Sequence, residues 1–243
     1  GYNDANVDLA LAYEEGSGGV EENAAKAVEY MTTAAEIGFS YAQYKLGCYY
    51  LYAYGLEKDL ELAKYWLEKA RENGSALAML TLGDYYLYGY EEDQPYDLAF
   101  PYYEEAEQRG YVSEGLGICY QFAIGVERDE KKAFQFYKIA VERGYDAAYF
   151  RLGLCYYYAI GTEKDYVEAL YYLREVADRG NLEAAGYVGV MLVKGEGVAQ
   201  ELAEGIAYLE QAANAGYDSA QYELGNCYLK GEGVEQNDEL ALH

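Results

Sequence analysis

Histidine is almost missing from this chain: among its 243 residues the single one is His243, at the last position. A hydrolase triad needs a histidine or lysine base beside its nucleophile, and none of the five serines begins a Ser-x-x-Lys, so no catalytic residue is assigned. The four cysteines form no Cys-x-x-Cys, which with one terminal histidine leaves a zinc site without ligands; no metal or cofactor is expected. Proline is equally scarce. Two in the whole chain, Pro95 and Pro101, argue against a loop-rich or disordered protein. Basic side chains number 18 against 43 acidic ones, a formal charge of -25 that repels phosphate backbones and anionic surfaces, so nucleic acid is not expected as a partner. No apolar run approaches the roughly 20 residues of a membrane-spanning helix, and Gly1 to Asp8 lacks the basic start and apolar core of a signal peptide. No membrane insertion is expected.

What the chain has in quantity is repetition. In the stretch Ala148 to Gly180, Ala148, Phe150, Leu152, Gly153 and Tyr156 lie on one apolar run that Ala159 and Gly161 break. Asp165 opens a second run, carrying Ala169, Tyr172, Val176 and Ala177 to a stop at Gly180. This reads as a helical hairpin. Its closing glycine returns as Gly38, Gly74, Gly110, Gly144, Gly180 and Gly216, with spacings of 36, 36, 34, 36 and 36 residues. The inner dipeptide Leu46-Gly47 returns as Leu82-Gly83, Leu116-Gly117, Leu152-Gly153, Val188-Gly189 and Leu224-Gly225, with Leu9-Ala10 at the start. A period of this length buries each repeat on its neighbours, so the expected fold is an all-α solenoid forming one domain over residues 1–243. Its repeats run over about 5–38, 41–74, 77–110, 111–144, 147–180 and 183–216, with a partial one at 219–243 whose first helix caps the sixth.

Residue chemistry explains the punctuation. Asn23, Asp59, Pro95, Asp129, Asp165, Glu201 and Asn237 open the second helices, and the Asn and Asp side chains are expected to accept hydrogen bonds from unpaired first-turn amides. Asp165 with Glu168 has the spacing of a capping box. The closing glycines suit a left-handed residue at the helix end. The inner glycines lie within first helices, where glycine costs about 1 kcal/mol against alanine, so a neighbouring helix is expected to approach them closely.

These residues resemble a Sel1-like repeat protein, a relative of the tetratricopeptide repeats. The family pattern A-x-x-x-L-G-x-x-Y-x-x-G-x-G-V is matched by Ala220, Leu224, Gly225, Tyr228, Gly231, Gly233 and Val234. Its second-helix pattern is matched by Ala63, Trp66, Ala70 and Gly74. The resemblance covers essentially everything from Ala5 onward. It implies a right-handed superhelix of antiparallel helix pairs and a role as adaptor or scaffold between proteins. Some bacterial relatives are cysteine-rich, with two cysteines per hairpin, and have been associated with weak penicillin hydrolysis. Here Cys48, Cys119, Cys155 and Cys227 occur singly in first helices, so bridges and that activity are not carried over; buried free thiols are expected. Unpaired cysteines favour the cytoplasm, and an exported location stays open because a leader can precede Gly1.

The pattern breaks in one region. Pro101 falls where other second helices are already running, so that helix should start late or kink, beside the acidic loop Glu91-Glu92-Asp93. The connection from Gly110 to Leu116 is two residues shorter than its counterparts.

Aligned columns separate packing from recognition. Tyr44, Leu80, Phe150 and Tyr222 form one apolar column, and Leu51, Leu87, Tyr157, Val193 and Leu229 another; both are expected in the core. Two columns change character: Lys45, Thr81, Gly115, Arg151, Tyr187 and Glu223, and Cys48, Asp84, Ile118, Leu154, Val190 and Asn226. A third, five residues after each inner position, reads Glu15, Tyr52, Tyr88, Phe122, Tyr158, Lys194 and Lys230. Its rings suit a ladder that stacks on a docked peptide, and with 33 tyrosines in the chain they equally suit packing between repeats. The candidate partner-binding groove, lined by first helices, comprises Tyr41, Lys45, Tyr52, Asp84, Tyr88, Tyr111, Phe122, Arg151, Tyr158, Lys194 and Lys230. The expected function is a non-catalytic scaffold docking a basic protein segment; the alternative is a small-molecule or glycan binder.

Overall fold

In the computed structural model, which describes residues 2–90 and 95–242, the expected caps set where the helices begin. Asn23, Asp59, Asp129 and Asp165 each accept a hydrogen bond, at 2.9 to 3.2 Å, from an amide two or three residues on. Such a bond satisfies a first-turn amide that has no partner inside the helix. Glu201 makes no such bond. The capping box at Asp165 forms only half: the Glu168 amide donates to Asp165, but the Asp165 amide donates to the Tyr156 carbonyl at 3.1 Å. The amides of Asn23, Asp59, Glu201 and Asn237 likewise donate to Tyr13, Tyr50, Leu192 and Tyr228. A carbonyl near the end of the first helix thus ties down the start of the second and takes the place of the glutamate.

Thirteen α-helices and no strand occur among the described residues. Cα packing divides the chain into two compact units, Gly1–Glu127 and Arg128–His243. The first contains α1 (Tyr2–Glu15), α2 (Ala24–Glu36), α3 (Ser40–Tyr52), α4 (Leu60–Glu72), α5 (Ala76–Tyr88), α6 (Ala99–Gln108) and α7 (Glu114–Phe122). The second contains α8 (Glu130–Glu142), α9 (Asp146–Tyr158), α10 (Tyr166–Ala177), α11 (Leu182–Lys194), α12 (Leu202–Asn214) and α13 (Asp218–Lys230). Within each unit successive helices pack as antiparallel hairpins, and each hairpin packs on the next.

Alanines and leucines bury the helix faces: Ala63, Leu67 and Ala70 of α4, and Ala169, Leu173 and Ala177 of α10, are at most 6 % exposed. All six closing glycines have φ between 83° and 96°, the left-handed region expected of them. Four inner glycines, Gly47, Gly83, Gly153 and Gly189, sit under a bulky residue of their own hairpin, whereas Gly225 meets the Ala241 backbone. A Cβ on Gly47, Gly153 or Gly189 would come within 2.8 Å of Leu67, Leu173 or Leu209. Close helix approach therefore offsets the helical cost of glycine.

The irregular region behaves as its prolines require. Pro95 caps nothing through its side chain and precedes a 3-10 turn, Tyr96–Leu98. Helix α6 begins late, at Ala99, so that Pro101 lies in its first turn, where an amide would have had no helical partner. The acidic loop Glu91-Glu92-Asp93 lies outside the described residues. Helix α7 spans 9 residues where α5 and α9 span 13, and Ser113 accepts from the Gly115 amide at its start.

The core columns hold except at their end. Leu51, Leu80, Leu87 and Val193 are buried, and Tyr44, Phe150 and Tyr157 half-buried. Tyr222 and Leu229 of α13, expected in the core, are 72 % and 48 % exposed. These positions pack only when a following hairpin covers them, and none among the described residues follows α13. After α13 the chain turns back, Asn237 accepts from the amides of Glu239 and Leu240, and a 3-10 turn, Leu240–Leu242, packs on that helix.

Candidate partner-binding face

Each first helix ends on the residue five after its inner position: Glu15, Tyr52, Tyr88, Phe122, Tyr158, Lys194 and Lys230 are the last residues of α1, α3, α5, α7, α9, α11 and α13. The residue that follows, Gly or Ala, has φ between 58° and 72°, which turns the chain away and leaves the terminal side chain projecting. In the first unit Tyr52, Tyr88 and Phe122 are 61 %, 59 % and 55 % exposed; in the second, Tyr158 is 53 % exposed. These rings are surface groups at a repeated position, not core.

Residues of that column also bond to neighbours, as the Tyr52 hydroxyl does to Tyr90. The hydroxyls of Tyr158 and Tyr187 lie 3.0 Å apart, joining α9 to α11. Lys194 pairs with Glu223 at 3.2 Å, joining α11 to α13 in the same register, and Lys230 lies 3.9 Å from Glu232. Lys45 donates to Glu14 at 2.7 Å, joining α3 to α1. Lys45, Tyr187 and Glu223 of the first variable column thus take up contacts between successive first helices.

Other candidates lie apart from the rings. Tyr41 is half-buried at the start of α3, opposite the end that carries Tyr52, and tilts against Tyr44 with ring centres 6.3 Å apart. Tyr111 is exposed in the connection between α6 and α7. Arg151 is half-buried on α9, one turn before Cys155. The structure does not gather these three with the column.

Asp84 it does gather. This half-buried carboxylate lies on α5 one turn before Tyr88, and accepts the Tyr103 hydroxyl at 2.6 Å. Tyr103, fully buried on α6, fits because two glycines make room: a Cβ on Gly83 or Gly115 would come within 2.5 or 2.2 Å of its ring. Burial pushes the Asp84 carboxyl up to about 6; the Tyr103 hydroxyl opposes this and the charge of Glu114 on α7 adds to it. Sequence reasoning missed Tyr103. Its signal was Gly115, standing in a column that elsewhere carries Lys45, Thr81 and Arg151.

The thiols are free and sit in the packing, with Cys119, Cys155 and Cys227 buried and Cys48 half-buried. Burial pushes Cys48 up to about 11 and Cys119 and Cys155 to about 12. Among the described residues no cluster of His, Cys, Asp or Glu could hold a metal ion, and no helix is long and apolar enough to cross a membrane. An open cleft of about 820 Å3 in the second unit is lined by Arg128, Asp129, Glu130, Lys131, Ala159, Gly161, Thr162 and Glu163, without an aromatic ring.

The Sel1 repeat family model matches seven times, at residues 3–39, 40–75, 76–111, 114–145, 146–181, 182–217 and 218–243. The chain belongs to the Sel1 repeat family. Sel1 repeat proteins generally mediate protein-protein interaction, and their scaffold is typically non-catalytic. Among solved structures this Sel1 chain is similar to c5321, a protective antigen of uropathogenic Escherichia coli with the SLR fold. The two are 31 % identical with a TM-score of 0.82, over 99 % of this chain and 52 % of that one. It therefore spans about half the length of that relative. A Sel1 repeat protein from Oxalobacter formigenes is 27 % identical, with a TM-score of 0.70 over 99 % of this chain and 70 % of that one. The immunity protein Pa5087 from Pseudomonas aeruginosa, 18 % identical with a TM-score of 0.54 over 90 % of this chain and 84 % of that one, shares the fold. No curated protein matches the chain.

Proposed function

We propose that this Sel1 chain is a non-catalytic docking scaffold that holds a basic segment of another protein against the exposed ends of its first helices. The observation that carries the reading is the exposure of Tyr52, Tyr88 and Phe122 at one repeated position of the first unit. Large rings that a fold could bury but leaves in solvent are suited to anchoring a partner, because they offer area and lose little rotamer entropy. The rings also stand where the C-terminal ends of three helices place their partial negative charge, on a chain of formal charge -25. A cationic segment is drawn to such a face, and an anionic one repelled.

The test is a photo-crosslinking amino acid placed at 52, 88 and 122 in turn, with the same probe at the exposed second-helix positions 62, 65 and 104 as controls. In a cell extract the first set should crosslink to a partner whose attached peptide is rich in Lys or Arg. Crosslinks confined to the second-helix set would overturn the reading. Tyr52→Ala with Tyr88→Ala should weaken binding through faster dissociation, while added salt should slow association.

A further inference from the structure

Lys45, Glu14 and Tyr49 form a complete cation site inside the first unit. Glu14 accepts Lys45 Nζ at 2.7 Å and the Tyr49 hydroxyl at 3.0 Å, and the same ammonium stands 5.3 Å from the centre of the Tyr49 ring. Carboxylate, tyrosine hydroxyl and aromatic wall together hold one organic cation. Asp84 has all of these parts but the cation. Its Oδ1 takes the Tyr103 hydroxyl at 2.6 Å, and none of the ion pairs among the described residues involves it. Tyr88 follows one turn later on the same helix face, and Tyr52, whose hydroxyl bonds to Tyr90, ends the preceding first helix, α3, as Tyr88 ends α5. Both rings are more than half exposed. On α7, Gly115 lies against the Tyr103 ring and has no side chain to offer, and Glu114 beside it adds negative charge.

Resting on the docking function proposed above, we propose that Asp84 is the anchor for one lysine or arginine side chain of the docked segment, clasped between the rings of Tyr52 and Tyr88. The cation is organic because one carboxylate and two rings do not make the oxygen shell of a divalent metal, whereas an ammonium or guanidinium gains from both parts. Tyr103 holds one oxygen of the carboxylate, and the other is the one that would take the cation. Rings of the same column without a neighbouring carboxylate, such as Phe122, would then contribute contact area and no choice of residue.

The experiment is an NMR titration of the whole chain with an acetylated, amidated octapeptide of alanine carrying two lysines, and with the same peptide carrying norleucine in their place. The lysine peptide should shift the amides around Asp84, Tyr52 and Tyr88, and the norleucine peptide should not. Asp84→Asn should weaken the lysine peptide at least tenfold, whereas Glu57→Gln, which removes the same charge from an exposed loop position, should change it less than twofold. Tyr52→Ala with Tyr88→Ala, at positions too exposed to carry the fold, should weaken it at least fivefold. If the lysine peptide binds and Asp84→Asn matters no more than Glu57→Gln, the anchor is refuted and docking by overall charge remains. If neither peptide binds the parent chain, the anchor and the basic-segment reading fall together.

Discussion

The Tyr103 hydroxyl donates to the Asp84 carboxylate across 2.6 Å, from a ring packed into the space left by Gly83 and Gly115. One bond from a neutral donor does not compensate the desolvation of a charge, so Asp84 in its ionised form weakens the fold unless a cation joins it. A strongly perturbed carboxyl beside exposed rings is the kind of local cost that accompanies a binding site.

Asp84→Asn should accordingly stabilise the chain above pH 7. The folded value, about 6, lies above the ordinary 3.8, so the folded state holds the proton more tightly, and this contribution to stability is full below about pH 4 and lost as pH rises through about 6. Asparagine keeps an oxygen for Tyr103 and carries no charge. Urea unfolding at pH 8 should show the variant more stable by about 1 to 3 kcal/mol, with the difference vanishing near pH 4. A variant that is less stable at pH 8 would contradict the assignment.

Gly115→Ala should destabilise strongly. The added methyl would meet the Tyr103 ring at 2.2 Å, and that ring is buried and fixed by its hydrogen bond. A cost of about 2 to 4 kcal/mol is expected from overpacking together with the strained bond to Asp84. Pairing it with Tyr103→Ala should recover part of the loss in a double-mutant cycle. Additive losses would mean that the two residues do not share the space.

Ala53, Ala123 and Ala159 end their helices with φ of 58° to 60°, where other first helices use Gly89, Gly195 and Gly231. A Cβ in this region crowds the following carbonyl. Ala159→Gly should raise stability by about 1 kcal/mol, read as a higher melting temperature. Ala207→Gly, exposed in the interior of α12, should lower stability by a similar amount, about 1 kcal/mol. A drop for both would show that the left-handed strain at position 159 is negligible.

The thiols should be inert in the folded protein. Burial raises Cys48, Cys119, Cys155 and Cys227 above their ordinary values, which starves them of thiolate at pH 7 to 8. An aromatic disulfide reagent should release about four equivalents in denaturant and few before it. Rapid labelling of any of the four in the native state would place that sulfur at the surface.

The sequence by itself determined the repeat. Asn and Asp at helix starts, glycine at helix ends and glycine beneath a bulky partner act within one hairpin, so their meaning is local and can be read without coordinates. It also singled out the column of rings and showed that Pro101 would make its helix start late or kink; that the rings stand at helix ends, and that α6 starts late, came from the structure. Which members of a column meet solvent was decided by tertiary structure, because exposure belongs to the neighbour as much as to the residue. Val193 and Leu229 hold the same place in successive first helices, yet Val193 of α11 is buried, with α12 and α13 packed after it, and Leu229 of α13 is bare. The pairings of Lys194 with Glu223 and Tyr158 with Tyr187 depend on the register between hairpins, which no single repeat encodes. Asp84 is the sharpest case. Its burial and its hydroxyl partner exist because α6 and α7 bring Tyr103 into a gap between two glycines, a three-body arrangement that becomes visible only once the helices are packed.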